Sequence, residues 1–582
     1  MSHILSTSFT PTTEQLIEQF SHPECQGQEV EAWVFADQEH RKQVETRLLK
    51  NGVKAKIRSA YKPLLHFFLE DLPVDLSNIS SVEVTYPVHE SASEKRFLLE
   101  TYPLAALLEA PVNFSENKDS VDFYQVTLHR QDATPLRYQV FAPNHLHLDI
   151  IGQQHLSPCG WLKVVNPQGE SLDNKRLETD YERLFSTAMK AVSEHSWGEK
   201  SPYFEELNLQ VSLPWKELSV AYQHEVISLS EALHEDLYFS ILEWFKVKQG
   251  YLPTDREGQP GQIVPEITYS AQSLLSLAIE TQPYQVNKTH NLQVLETANA
   301  PLSMTQIEAE LALIDGSEFN ASTITGKVIQ ARYHQGTDVP VMISGGQHAN
   351  ETTGVVGALR AAQYLHEEAN SHFTISPLEN PDGYALHQRL IHDNPYHMHH
   401  AARYTALGDD LEYRTELPLY EKAIRYKARE ISQAQLHINL HGYPSHEWTR
   451  PFSGYVPHGF TMWTIPKGFF LILRHNPDAR WSAYAEEFIH QVTLELVKLP
   501  GVLAFNDKQV ALYKAHAGDS MFRIINSFPC LISHSKEGDI PLQLITEYPD
   551  ETLYGEHFIA GHNVQTATVL AAYKAHQILS SK

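Results

Sequence analysis

The sequence predicts an α/β fold whose sheet is covered by helices and which is preceded by an N-terminal α+β region. Beyond about residue 300, strand-like runs such as GKVIQARYH and VPVMISGG alternate with helical patterns at 352–369, 418–434 and 481–498. Such alternation is typical of a sheet with helices on its faces. Residues 80–150 instead contain several runs of alternating apolar and polar residues, which indicate β-structure.

The length of the chain predicts more than one domain. It has 582 residues, whereas single hydrophobic cores stop growing at about 250–300 residues. We therefore expect an N-terminal α+β region at 1–299 and an α/β domain at 300–582. The N-terminal region forms either one unit or two subdomains split near 115–150, and its sequence indicates no role.

Composition narrows the classes of partner. The chain carries 45 Lys and Arg against 71 Asp and Glu, a formal net charge of −26. A chain this acidic is not expected to bind nucleic acid or an anionic membrane. It shows no secretory signal at its start and no apolar run long enough to span a bilayer. We therefore expect a cytoplasmic protein, while the oligomeric state stays open.

The first chemistry-bearing residues are His348 and Glu351, in VMISGGQHANETTGVVGALRAAQYL. They fall between a predicted strand and a predicted helix, and loops at the carboxyl ends of strands are where α/β sheets bind ligands. Imidazole and carboxylate at this spacing can converge on zinc if the turn is tight. The pair alone is not specific, because HxxE also arises by chance and Glu351 also suits a helix N-terminus.

Two further residues lie at or near the ends of later strand-like runs. His441 closes the run LHINLH and precedes Gly442, while Glu547 follows the apolar run LQLIT. His437, Asn439 and His441 share one face because side chains alternate along a strand. His441 also fits a core histidine and Glu547 a surface glutamate, but a carboxylate near zinc can accept a proton from water. Between these runs, Asn380-Pro381-Asp382-Gly383 predicts a turn.

Together these elements resemble the zinc carboxypeptidase family, the carboxypeptidase A-like metallopeptidases. The resemblance spans about residues 300–575 and rests on HxxE, NPDGY, a later strand-end histidine and a final glutamate, in that order. It implies a mixed, eight-stranded β-sheet flanked by helices, which makes 300–582 the catalytic domain. It also implies one zinc ion per chain, bound by His348, Glu351 and His441.

The resemblance further implies roles around the metal. Glu547 corresponds to the general base and acid, and Asp410 of GDDLEYR corresponds to the carboxylate that orients the first zinc histidine. The family's Asn-Arg pair, which binds the terminal carboxylate of the substrate, is absent. Arginine grips carboxylates with two parallel hydrogen bonds, so the candidate replacements are the nearby arginines Arg389, Arg403 and Arg414.

The predicted function is zinc-dependent hydrolysis of peptide bonds, of the carboxypeptidase type, on a peptide or small amide substrate. An N-acyl amino acid deacylase of the succinylglutamate desuccinylase or aspartoacylase kind is the nearest alternative, because such enzymes have a similar zinc site and a similar Leu-His strand. NPDGY favours the peptidase. A catalytically inactive binding protein is the remaining alternative, against which the intact set of four candidate residues argues.

Overall fold

The strand–helix alternation predicted beyond residue 300 is present in the computed structural model. The structure describes residues 2–581 except for the following positions: 94, 109, 119–121, 132, 223–224, 271–273, 286–291, 457, 459–466 and 536–539. These residues divide into two compact units. Unit 1 comprises Met1–Asp255, Ile263–Gln282 and Glu447–Met462, and unit 2 comprises Arg256–Gln262, Pro283–His446 and Trp463–Lys582. Unit 1 thus takes in a segment, Glu447–Met462, from within the residues predicted to form the α/β domain.

Unit 1 is an α+β structure built from several small sheets. Its strands are β1 (Ser2–Phe9), β2 (Glu29–Val34), β3 (Lys54–Ser59), β4 (Ile79–Pro87), β5 (Val112–Asn117), β6 (Phe123–Arg130), β7 (Ala133–Phe141), β8 (Asn144–Leu148), β9 (Gln154–Pro158), β10 (Trp161–Val165), β11 (Ser171–Arg176), β12 (Glu206–Leu213), β13 (Val220–Tyr222), β14 (Glu225–Ile227), β15 (Gln262–Tyr269) and β16 (Leu275–Gln282). Its α-helices are α1 (Thr12–Phe20), α2 (Gln38–Lys50), α3 (Pro63–His66), α4 (Arg96–Thr101), α5 (Leu104–Leu107), α6 (Asp180–Glu194) and α7 (Leu229–Lys248).

The sheets of unit 1 follow local sequence signals. Four-stranded sheets have the orders β1-β16-β12-β15, β11-β10-β2-β3 and β5-β4-β6-β7, and β8 pairs with β9 as a hairpin. Helix α2 begins after Asp37, whose carboxylate accepts a hydrogen bond from the His40 amide, and ends at Lys50 with Asn51 as its C-cap. Helix α6 begins with a reciprocal capping box between Thr179 and Glu182.

Unit 2 is the predicted α/β structure. Its strands are β17 (Ser317–Ser322), β18 (Val328–His334), β19 (Val341–Gly345), β20 (Phe373–Ser376), β21 (Leu436–Pro444), β22 (Phe470–His475), β23 (Arg523–Ile525), β24 (Phe528–His534) and β25 (Leu542–Glu551). Its α-helices are α8 (Met304–Ala312), α9 (Thr353–His366), α10 (Pro381–Asp393), α11 (Ala423–Ser432), α12 (Ala479–Leu496), α13 (Val502–Ala517) and α14 (Glu556–Ser580).

The sheet of unit 2 is mixed, which confirms the predicted fold class. Its strands have the order β17-β18-β20-β19-β21-β25-β22-β24-β23, nine within the described residues rather than the eight that the resemblance implies. At its centre, β21 runs parallel to both β19 and β25, while β22 runs antiparallel to β25. Central strands covered on both faces are expected to be apolar along their whole length, and the positions of β19 are buried throughout.

Residues 380–383 start a helix and do not form the isolated turn that the sequence predicts. Asn380 is the N-cap of α10, and its side-chain oxygen accepts a hydrogen bond from the Gly383 amide at 3.0 Å. Pro381 takes the first helical position, where proline loses no hydrogen bond because that amide has no partner within the helix. Turn and helix-start signals share the same residue types, so the pattern alone does not separate them.

The described residues contain no helix that is both long and apolar enough to cross a bilayer. Their three cysteines form no disulfide and are all buried.

Helices α9 and α14 approach closely at Gly357. A Cβ atom at Gly357 would lie far inside van der Waals contact of the Gln565 Cβ on α14. We predict that Gly357→Ala lowers the free energy of unfolding by about 1–2 kcal/mol, because overpacking costs about 1–3 kcal/mol and the gain in helix propensity returns at most about 1 kcal/mol. Urea titration measures the change.

The control for this substitution is Gly198→Ala. A Cβ at Gly198 meets no atom within 4 Å, so this variant should unfold at the same urea concentration as the wild type. A Gly357→Ala variant as stable as the wild type would show that the two helices can separate at no cost.

Candidate functional site

The loop that carries His348 and Glu351 connects β19 to α9, as the sequence predicts. Its turn is tight, because the Glu351 amide donates to the His348 carbonyl at 3.2 Å. Gly346 opens the loop at φ +61°, and a Cβ there would collide with Leu378, so this position requires glycine. The loop returns both side chains towards the end of β19, where Glu351 is 1% exposed.

His348, Glu351 and His441 converge on one point. The Nδ1 atom of His348 lies 2.8 Å from one carboxylate oxygen of Glu351, and the Nδ1 atom of His441 lies 2.9 Å from the other. The two Nδ1 atoms are 3.2 Å apart. Ligands of a tetrahedral zinc ion with bonds of about 2.0–2.1 Å are separated by about 3.3 Å. The donor types and their spacing therefore fit a metal ion, and all three residues are buried.

Glu351 is the centre of this cluster. Besides the two imidazoles, the Gly442 amide donates to its Oε2 at 3.0 Å and Arg403 donates to its Oε1 at 2.6 Å. Burial by itself would raise the pKa of Glu351, but the charges of His348, Arg403 and His441 hold that pKa well below its ordinary value. Glu351 is therefore a carboxylate, the form that binds metal ions.

Asp410, the candidate for orienting His348, contacts the ring of that histidine. Its Oδ2 is 3.2 Å from the His348 Nε2, on the side of the ring opposite Glu351. Its Oδ1 accepts hydrogen bonds from the Glu412 amide at 3.0 Å and from the Gln347 side chain at 3.2 Å. Burial would raise the pKa of Asp410, yet the adjacent His348 holds it below its ordinary value. A carboxylate in contact with one ring nitrogen restricts the orientation of the imidazole.

A buried polar network, which the sequence did not reveal, connects the two histidines. Gln347 accepts hydrogen bonds through its side-chain oxygen from Arg425 at 2.6 Å and from Asn439 at 3.2 Å. Asn439 in turn lies 2.8 Å from the His441 Nε2. Arg425 also donates to Glu379, at 2.6 and 2.9 Å. The network thus runs from the ion pair of Arg425 and Glu379, whose side chains are 11% and 0% exposed, to the outer nitrogen of a candidate ligand.

Glu547 stands beside His441 on the neighbouring parallel strand, since the two residues are register partners of β21 and β25. Register partners direct their side chains to the same face of a sheet. The strand continues past Glu547 to Glu551, so Glu547 lies within β25 rather than at its end. Two effects hold the pKa of Glu547 well above its ordinary value. The larger is desolvation of its half-buried side chain, and the second is the negative charge of Glu351.

The three candidate arginines lie in different surroundings. Arg403 contacts Glu351, and 23% of its side chain is exposed. Glu351 forms, with His348 and His441, the candidate ligand cluster. Arg414 is buried in ion pairs with Asp409 and Glu421, which commits its guanidinium to the protein. Arg389 lies half-buried on α10. Of the three, Arg403 therefore combines contact with the cluster and access to solvent.

No model of a known protein family matches the sequence, and no curated protein matches it. Similar solved structures include a metallo-carboxypeptidase from Burkholderia cenocepacia, with 12% identity and a TM-score of 0.32 over 54% of this chain and 77% of that chain. A second is a metallo-carboxypeptidase from Pseudomonas aeruginosa in complex with (2-guanidinoethylmercapto)succinic acid. It has 14% identity and a TM-score of 0.28 over 53% of this chain and 72% of that chain. A third is bovine thrombin-activatable fibrinolysis inhibitor in complex with tick carboxypeptidase inhibitor. It has 12% identity and a TM-score of 0.28 over 47% of this chain and 95% of that chain.

The buried pair of Arg425 and Glu379 offers a test of the network. We predict that Arg425→Met lowers the free energy of unfolding by about 3–5 kcal/mol, because it leaves the Glu379 carboxylate buried and uncompensated. Chemical denaturation of the metal-free protein measures the loss.

The matched variant is Arg425→Met combined with Glu379→Gln. It removes the unpaired charge, so it should recover part of the lost stability. If the double variant is no more stable than Arg425→Met alone, the pair does not act as a buried ion pair.

Proposed function

We propose that this chain is a zinc-dependent hydrolase of peptide bonds, of the carboxypeptidase type. The observation that carries the proposal is the convergence of two imidazole Nδ1 atoms and both oxygens of Glu351, at 2.8–3.2 Å from one another. Two histidines and one glutamate, with a further position left for water, form a ligand set that catalytic zinc sites use. Zinc bound by His348, Glu351 and His441 would polarise the scissile carbonyl and activate water.

Glu547 is the proposed general base and acid. Its register partner is the ligand His441, so a water molecule that reaches the ligand cluster comes within range of its carboxylate. Glu547 accepts a proton as the water oxygen attacks the carbonyl carbon of the scissile bond. It then returns that proton to the nitrogen of the departing amine, which leaves a carboxylic acid and an amine as products.

Arg403 is the proposed contact for the substrate. Its guanidinium stands between Glu351, at 2.6 Å, and Glu551, at 3.4 Å, and part of its side chain is open to solvent. An arginine in that place can grip a carboxylate, or donate to the scissile carbonyl oxygen as negative charge develops there. We favour the grip on a terminal carboxylate, which would position the scissile bond over the ligand cluster.

The proposal predicts that Glu547→Gln keeps zinc but loses hydrolysis. The isosteric amide cannot accept the proton, so the rate should fall by roughly 10²- to 10⁴-fold, while the metal content stays at about one ion in the ligand set. Metal analysis and peptide hydrolysis on the same samples measure the two effects. Glu487→Gln is the control, because this exposed residue of α12 loses the same charge far from the ligands in sequence.

Three results would change the assignment. Hydrolysis unaffected by Glu547→Gln would remove Glu547 as the base. Zinc binding without cleavage of any peptide, together with cleavage of an N-acyl amino acid, would favour the deacylase alternative. If the His441→Ala variant binds as much zinc as the wild type, the proposed ligand set is wrong and the binding-protein alternative remains.

The role of Arg403 predicts a difference between two substrates. Arg403→Met should raise KM at least about tenfold for a peptide with a free terminal carboxylate, since a hydrogen-bonded ion pair contributes about 1.5–3 kcal/mol. KM for the same peptide with an amidated terminus should change far less. Zinc content is measured alongside, because Arg403 also contacts Glu351. Equal changes for both peptides would contradict the grip on the terminal carboxylate.

A further inference from the structure

A second group of metal-ligating side chains lies in unit 1, on the hairpin formed by β8 and β9. His147 and His155 face each other across the hairpin as register partners. Asp149 directly follows β8, and its Oδ1 accepts hydrogen bonds from the Ile151 and Gln153 amides at 3.0 and 2.8 Å. The turn thereby fixes the Asp149 carboxylate with one oxygen held by the backbone. The other oxygen, Oδ2, lies 3.0 Å from the His155 Nε2.

A histidine from far along the chain completes the group. His458 belongs to the segment Glu447–Met462 of unit 1. Its Nε2 lies 3.2 Å from the His155 Nε2 and 3.6 Å from the Asp149 Oδ2. Two imidazole nitrogens and one carboxylate oxygen are therefore all within 3.6 Å of one another.

Neighbouring residues hold His458 in this orientation. Its Nδ1, the nitrogen away from the cluster, lies 3.1 Å from Oε2 of Glu243. Its backbone amide donates to Oε1 of Glu243 at 3.0 Å. Glu243 is fixed by two hydrogen bonds from Arg450, at 2.8 and 3.0 Å. In metal-binding histidines, a carboxylate beside the ring nitrogen that does not bind the metal typically orients the imidazole.

The backbone also makes room for His155. Gly454 has φ +89°, and a Cβ there would collide with the imidazole of His155. The Gly454 amide donates to the Ser157 hydroxyl at 3.1 Å, which joins the segment of His458 to β9. Any side chain at position 454 would displace His155 from the cluster.

We propose that Asp149, His155 and His458 bind a second divalent metal ion, of which Zn²⁺ is the test case. The three separations of 3.0, 3.2 and 3.6 Å bracket the value of about 3.3 Å that bonds of about 2.0–2.1 Å in tetrahedral geometry require. A single cation satisfies all three lone pairs at once.

The ligand types restrict the metal. Two imidazoles and one carboxylate suit Zn²⁺ and other first-row transition metals, whereas Ca²⁺ and Mg²⁺ prefer oxygen ligands. The side chains of His155, Asp149 and His458 are 17%, 7% and 12% exposed, so an ion can enter from solvent. The bound ion would cross-link the hairpin to a segment 303 residues away in sequence, and we expect it to stabilise unit 1.

The test counts metal ions in the full-length chain. Wild type, His155→Gln, His441→Ala and the double variant are stripped with a chelator, reloaded with Zn²⁺, desalted and analysed for zinc. We expect about two, one, one and no ions per chain, respectively, because each single variant removes one three-ligand set. His195→Gln, a histidine of unit 1 at the C-terminal end of α6, is the control and should retain two.

The outcomes separate this proposal from the proposed function. If His155→Gln binds as much zinc as the wild type, the second site is overturned, whatever His441→Ala does. If His441→Ala loses nothing while His155→Gln loses one ion, the second site stands and the catalytic ligand set fails. Should His155→Gln not fold, Asp149→Asn replaces it, because the amide oxygen can still accept the turn hydrogen bonds. Asp149→Asn that keeps two ions would likewise overturn the site.

Discussion

The parallel pairing of β19, β21 and β25 is the constraint on which the candidate site depends. Parallel strands end at the same edge of a sheet, so the loop after β19 emerges beside the carboxyl-terminal half of β21. The register of β21 with β25 then sets Glu547 next to His441. A slip of one residue in either pairing would turn His441 or Glu547 to the opposite face of the sheet. The backbone pairing of the strands thus brings the three candidate ligands and the proposed base together, and the contacts among His348, Glu351 and His441 then fix the side chains.

Gathering so many polar groups within a core carries a desolvation cost, which the surrounding network offsets. Glu351, His348 and His441 are each at most 7% exposed, and buried charges destabilise a protein unless they are paired and hydrogen-bonded. The two carboxylate oxygens of Glu351 accept hydrogen bonds from the Gly442 amide and from the Arg403 guanidinium. The ion pair of Arg425 and Glu379 extends this support outward. Ligands fixed in advance in this way lose little conformational entropy when a metal binds.

The sequence predicted what is encoded locally and missed what depends on tertiary approach. HxxE between a strand and a helix, and the period-2 face of His437, Asn439 and His441, are short patterns with a direct geometric meaning. Arg425 could not be predicted, because it meets Gln347 across a separation of 78 residues in the sequence. The group of Asp149, His155 and His458 was missed for the same reason, since its third member follows 303 residues after the second. The pattern HLHLD at 145–149 was the available signal.

The two ligand sets share their chemistry but differ in the carboxylate that stands next to them. Glu547 is the register neighbour of His441, and the proposed function has it exchange protons with a molecule bound there. Glu243, the carboxylate beside His458, instead accepts from both terminal nitrogens of Arg450 and from the His458 amide. A carboxylate with both oxygens so committed orients a ligand but offers no free position for a water proton. Under the two proposals, the first set therefore suits hydrolysis, and the second suits holding distant segments of unit 1 together.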